Sequence, residues 1–90
     1  MDLTYDRRQI AKHGVEPFQI EAVLTSLLSE WFGLETQSRR GNDRYMVIGF
    51  DGLANLLEIG IEEMSINNYH VFHAVKATAY EEKAFNNRKH

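Results

Sequence analysis

Apolar residues recur at helical spacing between Asp6 and Ser29. Ile10 belongs to a short first helix that ends before Gly14, because glycine favours the left-handed conformation that follows a helix. Pro17 lies in the first turn of a second helix, where its missing N–H removes no hydrogen bond. The apolar stripe of this second helix is predicted to contain Phe18, Ile20, Val23, Leu24, Leu27 and Leu28.

After Gly33 the helical spacing gives way to strand formers and to alternation of apolar and polar residues. Asp51 and Gly52 provide a strong turn signal between two strands. The predicted elements are strands Arg44–Phe50, Asn55–Glu62 and Tyr69–Lys76, a weaker strand within Trp31–Gln37, and a helix from Ala79 to Asn87. Two N-terminal helices, an antiparallel three- to four-stranded sheet and a C-terminal helix predict an α+β fold.

Some individual side chains also have a predicted environment. Trp31 and Phe32 are expected to be core residues where the helices meet the sheet, because they are large and apolar. Glu62 and Glu63 are expected to form the solvated end of a strand, because paired carboxylates are rarely buried.

The composition predicts one small domain, residues 1–90, with 43% hydrophobic residues. The absence of cysteine excludes a disulfide scaffold, a thiolate zinc site and a cysteine nucleophile. The longest apolar stretch, Tyr45–Phe50, is too short to span a membrane, and acidic residues stand where a signal peptide is basic. We therefore expect a cytoplasmic protein without a membrane partner.

The net charge of −3 disfavours nucleic-acid binding through the overall field of the protein. Basic residues occur as separate pairs rather than as one long run, and each pair is most simply a solvated surface. Any contact with RNA or DNA would have to depend on a local patch.

Two histidines, His70 and His73, have a spacing that would suit a metal only on a helix. On the predicted strand, residues three apart point to opposite sides, so we expect neither a metal site nor a cofactor. His13 is most simply a residue that suits the negative end of the first helix.

Four segments resemble the BrnT-like toxins of bacterial type II toxin–antitoxin systems, in the same order and over nearly the whole chain. Ile10–Val15, followed by an amphipathic helix, resembles the opening of these toxins. Asp43–Gly49 is similar to their E-R-x-x-x-x-G strand, with aspartate in place of glutamate, and Leu56–Ile59 stands where their next strand stands. His73–Thr78, followed by Glu81, resembles their closing S-A-R-x-A-T-x-x-E-R.

The resemblance implies a RelE-like fold and RNA cleavage without a metal. It also implies inhibition by a co-encoded, DNA-binding antitoxin. The expected partners are therefore this antitoxin and an RNA substrate. An apolar surface is expected for the partner to cover, with a homodimer as the alternative.

Two positions depart from the closing motif, since Val75 and Glu82 stand where the family has arginine. Each change removes a cation from the segment expected to approach RNA, so catalysis is expected to be weakened, altered or lost.

Metal-independent cleavage needs a base, an acid and cations around the phosphate. If Phe72 and Ala74 point into the core, then Val71, His73 and Val75 share the open face of the sheet. His73 is then the candidate acid or base. Its candidate neighbours for charge stabilisation or proton donation are Arg44, Tyr45 and Lys76. For each of these four residues, an ordinary role as a surface or half-buried strand residue is the simpler explanation.

Two other functions remain open from the sequence. One is a catalytically degenerate relative that binds its partner and shapes a repressor complex on DNA. The other is an unrelated small interaction domain whose motifs match by accident. A short basic DNA-binding protein encoded next to this one would favour the toxin or its degenerate relative over an unrelated interaction domain.

Overall fold

The structure, a computed structural model, describes residues 1–89 and shows an α+β fold. Within these residues, five strands and three helices occur in the order β1 (Asp2–Tyr5), α1 (Arg7–Lys12), α2 (Pro17–Thr25), β2 (Glu30–Gly33), β3 (Arg44–Phe50), β4 (Leu56–Ser65), β5 (Asn68–Lys76) and α3 (Ala79–Lys89). The predicted α+β class is confirmed, with two helices before the long strands and one after them.

The five strands form one mixed sheet in the order β1-β5-β4-β3-β2. The pairs β2·β3, β3·β4 and β4·β5 are antiparallel, as predicted. Strand β1 was not expected, and it pairs parallel with β5, which places Asp2 beside Asn68. Only Leu3 and Tyr5 are apolar in this four-residue strand, so its alternation is too short to be recognised. The prediction of a wholly antiparallel sheet is therefore wrong at this edge.

Local signals set the starts and ends of the two N-terminal helices. The Asp6 carboxylate accepts a backbone N–H of the first turn of α1 at 3.2 Å, and Gly14 follows that helix with φ of +67°. Pro17 is the first residue of α2, and the Gln19 side chain accepts the backbone N–H of Glu16 at 2.8 Å. The end of α1 and the start of α2 agree with the sequence prediction.

Helix α2 ends at Thr25 rather than at Ser29. Ser26 is already extended, and the Ser29 hydroxyl donates a hydrogen bond to the Val23 carbonyl at 2.7 Å, which turns the chain back toward the sheet. Leu27 is therefore fully exposed and Leu28 is 71% exposed. The predicted apolar stripe is wrong at these two positions and at Phe18, which is also exposed.

The turn between β3 and β4 lies where Asp51 and Gly52 predict it, and Gly52 has φ of +84°. The buried Asp51 carboxylate accepts the backbone N–H groups of Leu53 at 2.7 Å and Asn55 at 3.1 Å. Gln19 donates to the same carboxylate at 2.7 Å, which ties the turn to α2.

The hydrophobic core lies between the sheet and helices α1 and α2. It consists of Ile10, Val15, Ile20, Val23, Leu24, Val47, Leu57, Ile59, Ile61, Val71 and Ala74. Trp31 and Phe32 are not core residues, because β2 is the edge strand and leaves them 38% and 44% exposed. In residues 1–89, no helix combines the length and the apolar character needed to cross a membrane.

Candidate functional site

The sheet has one face covered by α1 and α2, which we call the helix face, and a second face, which we call the open face. Partial covers lie over the open face at both ends. At one end the β2–β3 loop reaches Glu62, and at the other Phe85 of α3 packs edge-on against Phe50 at 5.6 Å between ring centroids. Between these covers the open face carries Arg44, Met46, Ile48, Glu58, Gly60, His70, Phe72, His73 and Val75.

A β-bulge in β5 determines which side chains reach the open face. His73 lies opposite Gly60, whereas Val71 lies opposite Ile61, so Phe72 is the extra residue on its strand. A bulge of this kind places two successive side chains on the same side of the sheet. Both side chains lie over Gly60: a Cβ atom there would be 2.8 Å from the Phe72 ring and 3.0 Å from the His73 Cβ atom.

The bulge corrects two expectations about this strand. Val71 is fully buried in the core, so it does not share the open face with His73 and Val75. Phe72 is half-buried on the open face rather than pointing into the core.

The same bulge contradicts the expectation that His70 and His73 point to opposite sides of the sheet. His70 lies opposite Glu62 and His73 lies opposite Gly60, and two residues separated by one position on β4 share a face. The two histidines therefore lie on the same side of the sheet. Among residues 1–89, however, no three histidine, aspartate or glutamate side chains are grouped so that they could hold a metal ion.

Arg44 is held at the open face by contacts with two other elements. Its Nε donates to the Thr36 carbonyl at 3.0 Å, and an Nη atom donates to the Thr36 hydroxyl. Its Cζ lies 5.8 Å from the centre of the Phe72 ring, a cation–π distance. These contacts fix the guanidinium and leave further N–H donors available to a ligand.

His73 lies beside a carboxylate. Its Nε2 is 3.4 Å from Oε1 of Glu58, close enough for an ion pair, and about a third of its side chain is exposed. The geometry is not that of a hydrogen bond, and Nε2 itself is shielded from solvent without another partner among the described residues. A carboxylate in this position can orient an imidazole.

Tyr45 and Lys76 do not join this group. Tyr45 packs against the core and against Trp31, with 5.9 Å between their ring centroids, so it lies on the helix face. Lys76 lies opposite the core residue Leu57, on the same helix face. The four candidate catalytic residues therefore divide into Arg44 and His73 on the open face and Tyr45 and Lys76 behind it.

Glu62 does not form the expected solvated strand end. It is 5% exposed and accepts hydrogen bonds from Arg40 and Asn42. The bonds from Arg40 lower its pKa to about 2, against the effect of burial. Because the partners of Glu62 come from the β2–β3 loop, its burial could not be recognised from its own strand.

The structure adds three residues that were not among the predicted site residues: Glu58, His70 and Phe72. His70 is fixed by β1, because its Nδ1 lies 2.7 Å from the Thr4 hydroxyl oxygen. Glu58 had a visible signal, since it alternates with Leu57 and Ile59 and so belongs to the polar face of its strand. Phe72 had no such signal in the sequence, because the pattern of apolar and polar residues does not show the β-bulge that turns it to the open face.

Comparison with protein-family models gives no match to this chain, and a search of curated proteins finds no relative.

Proposed function

We propose that this protein is a BrnT-like toxin of a type II toxin–antitoxin system, with a RelE-like fold, and that it cleaves RNA in the cytoplasm without a metal ion. The observation that carries the proposal is the position of Arg44 and His73 on one accessible sheet face. Both residues belong to the segments that resemble the family. The order of two helices, antiparallel strands and a closing helix supports the same assignment.

The open face supplies the chemical groups that this reaction requires. Cleavage begins when the 2′-hydroxyl of the RNA loses its proton and its oxygen attacks the adjacent phosphorus. In our proposal Nδ1 of His73 takes this proton while Glu58, which lies beside Nε2, orients the imidazole. Arg44 neutralises the additional negative charge on the phosphorane. The bond from phosphorus to the 5′-oxygen then breaks, that oxygen leaves with a proton from His70 or solvent, and a 2′,3′-cyclic phosphate remains.

A second candidate function has an observation in its favour. Val75 carries no charge, and its neighbour across the strands is the carboxylate of Glu58. Together with the net charge of −3, this weakens attraction of RNA to the open face. In this alternative the protein is a degenerate relative that binds its antitoxin and contributes to a repressor complex on DNA.

Single-turnover cleavage of a labelled single-stranded RNA in EDTA distinguishes the two functions. We expect slow cleavage by the parent protein, reduced about 100-fold or more in His73→Ala and in Arg44→Ala. Lys76→Ala is the matched control on the same strand as His73, and it should change the rate by less than about twofold.

Cleavage that is unchanged in His73→Ala would refute the site. A requirement for a divalent metal would refute the mechanism. If the parent protein cleaves no RNA but binds the product of the neighbouring gene, the degenerate partner-binding function replaces the enzymatic one.

A further inference from the structure

The open edge of the sheet carries an exposed apolar run. Leu27 and Leu28 precede β2, and Trp31 and Phe32 lie within it; all four are exposed. Natural edge strands are commonly protected from pairing by lysine, proline or a bulge. From Leu27 to Leu34 the chain has no lysine, arginine or proline, and β2 pairs with β3 without a register shift.

The hydrogen bonds between β2 and β3 show which backbone groups point outward. Leu34 donates its N–H to the carbonyl of Arg44, the residue directly opposite, at 2.9 Å. In an antiparallel pair such hydrogen-bonded positions alternate, so Phe32 also turns its N–H and C=O toward β3. Trp31 and Gly33 therefore turn theirs away from β3, toward the side on which residues 1–89 form no further strand of the sheet.

We propose that two copies of this chain associate through β2, antiparallel, about a two-fold axis that passes between the two Phe32 residues. In this register Trp31 of each copy lies opposite Gly33 of the other. The outward N–H and C=O groups of both residues then form hydrogen bonds across the axis, so the two sheets become continuous. A register centred on Trp31 would pair Gly33 with Ser29, which lies outside the strand.

The side chains fit the same register. The two Phe32 rings meet on the open face, at a position where antiparallel strands approach most closely. On the helix face the indole of Trp31 packs edge-on against Tyr45 and Tyr69 of its own copy, at 5.9 and 5.8 Å between ring centroids. Gly33 of the second copy, which falls opposite Trp31, has no side chain and leaves these contacts in place. Glu30 falls opposite Leu34 of the second copy, so equal charges do not face each other. This inference goes beyond the proposed function and does not depend on it.

The first test is the mass of the full chain in solution over a range of concentrations. Sedimentation equilibrium should show conversion from the 10.4 kDa monomer to twice that mass. Phe32→Lys places two ammonium groups at the axis and should raise the dimer Kd about 100-fold or more. Ile66→Lys is the control, because Ile66 is 97% exposed at the β4–β5 turn, away from this edge, and should leave the Kd unchanged.

The second test fixes the register. The chain has no cysteine, so Phe32→Cys introduces a single thiol that mild oxidation should link between two copies. Cα atoms at such a closely spaced pair are about 4.5 Å apart, within the range for a disulfide. Trp31→Cys should not cross-link, because the two substituted residues would be diagonal neighbours. Ile66→Cys measures cross-linking by random collision.

Three results would overturn the proposal. The first is a parent chain that stays monomeric up to about 1 mM, where the free energy of association would be weaker than about −4 kcal/mol. The second is a dimer that Phe32→Lys leaves intact while the variant keeps the parent's circular dichroism spectrum. The third is efficient cross-linking of Trp31→Cys but not of Phe32→Cys. Pairing of β2 with a different protein instead of a second copy would overturn the proposal as well.

Discussion

The guanidinium of Arg40 binds both carboxylate oxygens of Glu62, with Nε at 3.1 Å and an Nη atom at 2.9 Å. Glu62 is buried and Arg40 is largely exposed, and Asn42 adds a third bond at 2.8 Å. The β2–β3 loop is thereby fixed to the open face beside Arg44, where the candidate site begins.

Arg40→Ala should raise the pKa of Glu62 from about 2 toward 4.5, its ordinary value, because the bonds from Arg40 are the largest cause of the shift. NMR titration of the side-chain carboxyl carbon measures this change. Arg39→Ala removes an exposed cation next to Arg40 and should leave the Glu62 titration in place. A Glu62 pKa that stays near 2 in Arg40→Ala would contradict the assignment.

Acid should destabilise the protein through Asp51. Burial by itself would raise the pKa of Asp51, but hydrogen bonds from Gln19, Asn55 and two backbone N–H groups lower it to about 2. Because the pKa of Asp51 is lower in the folded than in the unfolded protein, the ionised Asp51 carboxylate stabilises the fold above about pH 5. This stabilisation, about 2 kcal/mol, is lost as the pH falls toward 2. Urea unfolding at several pH values should show a shallower acid slope for Asp51→Asn, and equal slopes would disprove the prediction.

Gly49→Ala should destabilise the fold where α2 returns to the sheet. A Cβ atom there would overlap the Ser29 hydroxyl and lie 2.8 Å from the Ser29 Cβ atom and 3.2 Å from a Val23 methyl group. We expect a loss of about 2–3 kcal/mol in the free energy of unfolding. Gly33→Ala is the control, because an added Cβ atom there meets nothing within 4 Å among residues 1–89, and it should change the free energy of unfolding by less than about 1 kcal/mol in dilute solution. Similar values for both variants would be inconsistent with the packing.

Tyr5→Phe should stabilise the protein, because the Tyr5 hydroxyl oxygen is shielded from water and has no hydrogen-bond partner among the described residues. Burial, and then the charge of Glu21, raise the pKa of Tyr5, while Arg7 opposes them. Removing the hydroxyl should raise the free energy of unfolding by about 0.5–1 kcal/mol. Tyr69→Phe is the comparison, since the Tyr69 hydroxyl lies 3.5 Å from Glu63. Destabilisation by Tyr5→Phe would indicate a bond that the hydroxyl makes through water.

Val75→Arg should increase RNA cleavage about tenfold or more if a missing cation limits the proposed reaction. The new guanidinium would lie opposite Glu58 and could pair with it, so the double variant with Glu58→Gln tests whether this pairing reduces the gain. Val75→Met controls for side-chain size, and His73→Ala should remove the gain. An unchanged single-turnover rate in Val75→Arg would show that charge at this position is not limiting.

The long strands and the start of α2 could be predicted because their signals are local. Strand-forming residues identify β3 and β5, alternation identifies β4, and Pro17 marks the first turn of a helix. The end of α2 could not be predicted, because Leu27 and Leu28 continue the helical spacing. It is set by the bond from Ser29 to Val23 and by the close approach of Ser29 to Gly49.

The candidate site was only half predictable for a similar reason. Strict alternation separates Tyr45 from Arg44, so Tyr45 could have been assigned to the opposite face from the sequence. Lys76 follows a bulge, and the bulge depends on how β5 meets Gly60 on the neighbouring strand. The side on which His73 lies relative to His70 therefore becomes visible only once both strands are placed.

The pairing of β1 with β5 has a consequence for the order of folding. Asp2 and Asn68 pair, as do Thr4 and His70, which lie 66 positions apart in the chain. Contacts between such distant residues form slowly because a long loop has to close. Helices α1 and α2 can begin to form from local signals, whereas β1 has to wait for the last strand. During synthesis, the earliest strand is therefore the one that remains longest without a partner, and a ribosome that pauses before β5 holds a chain whose sheet cannot yet be completed.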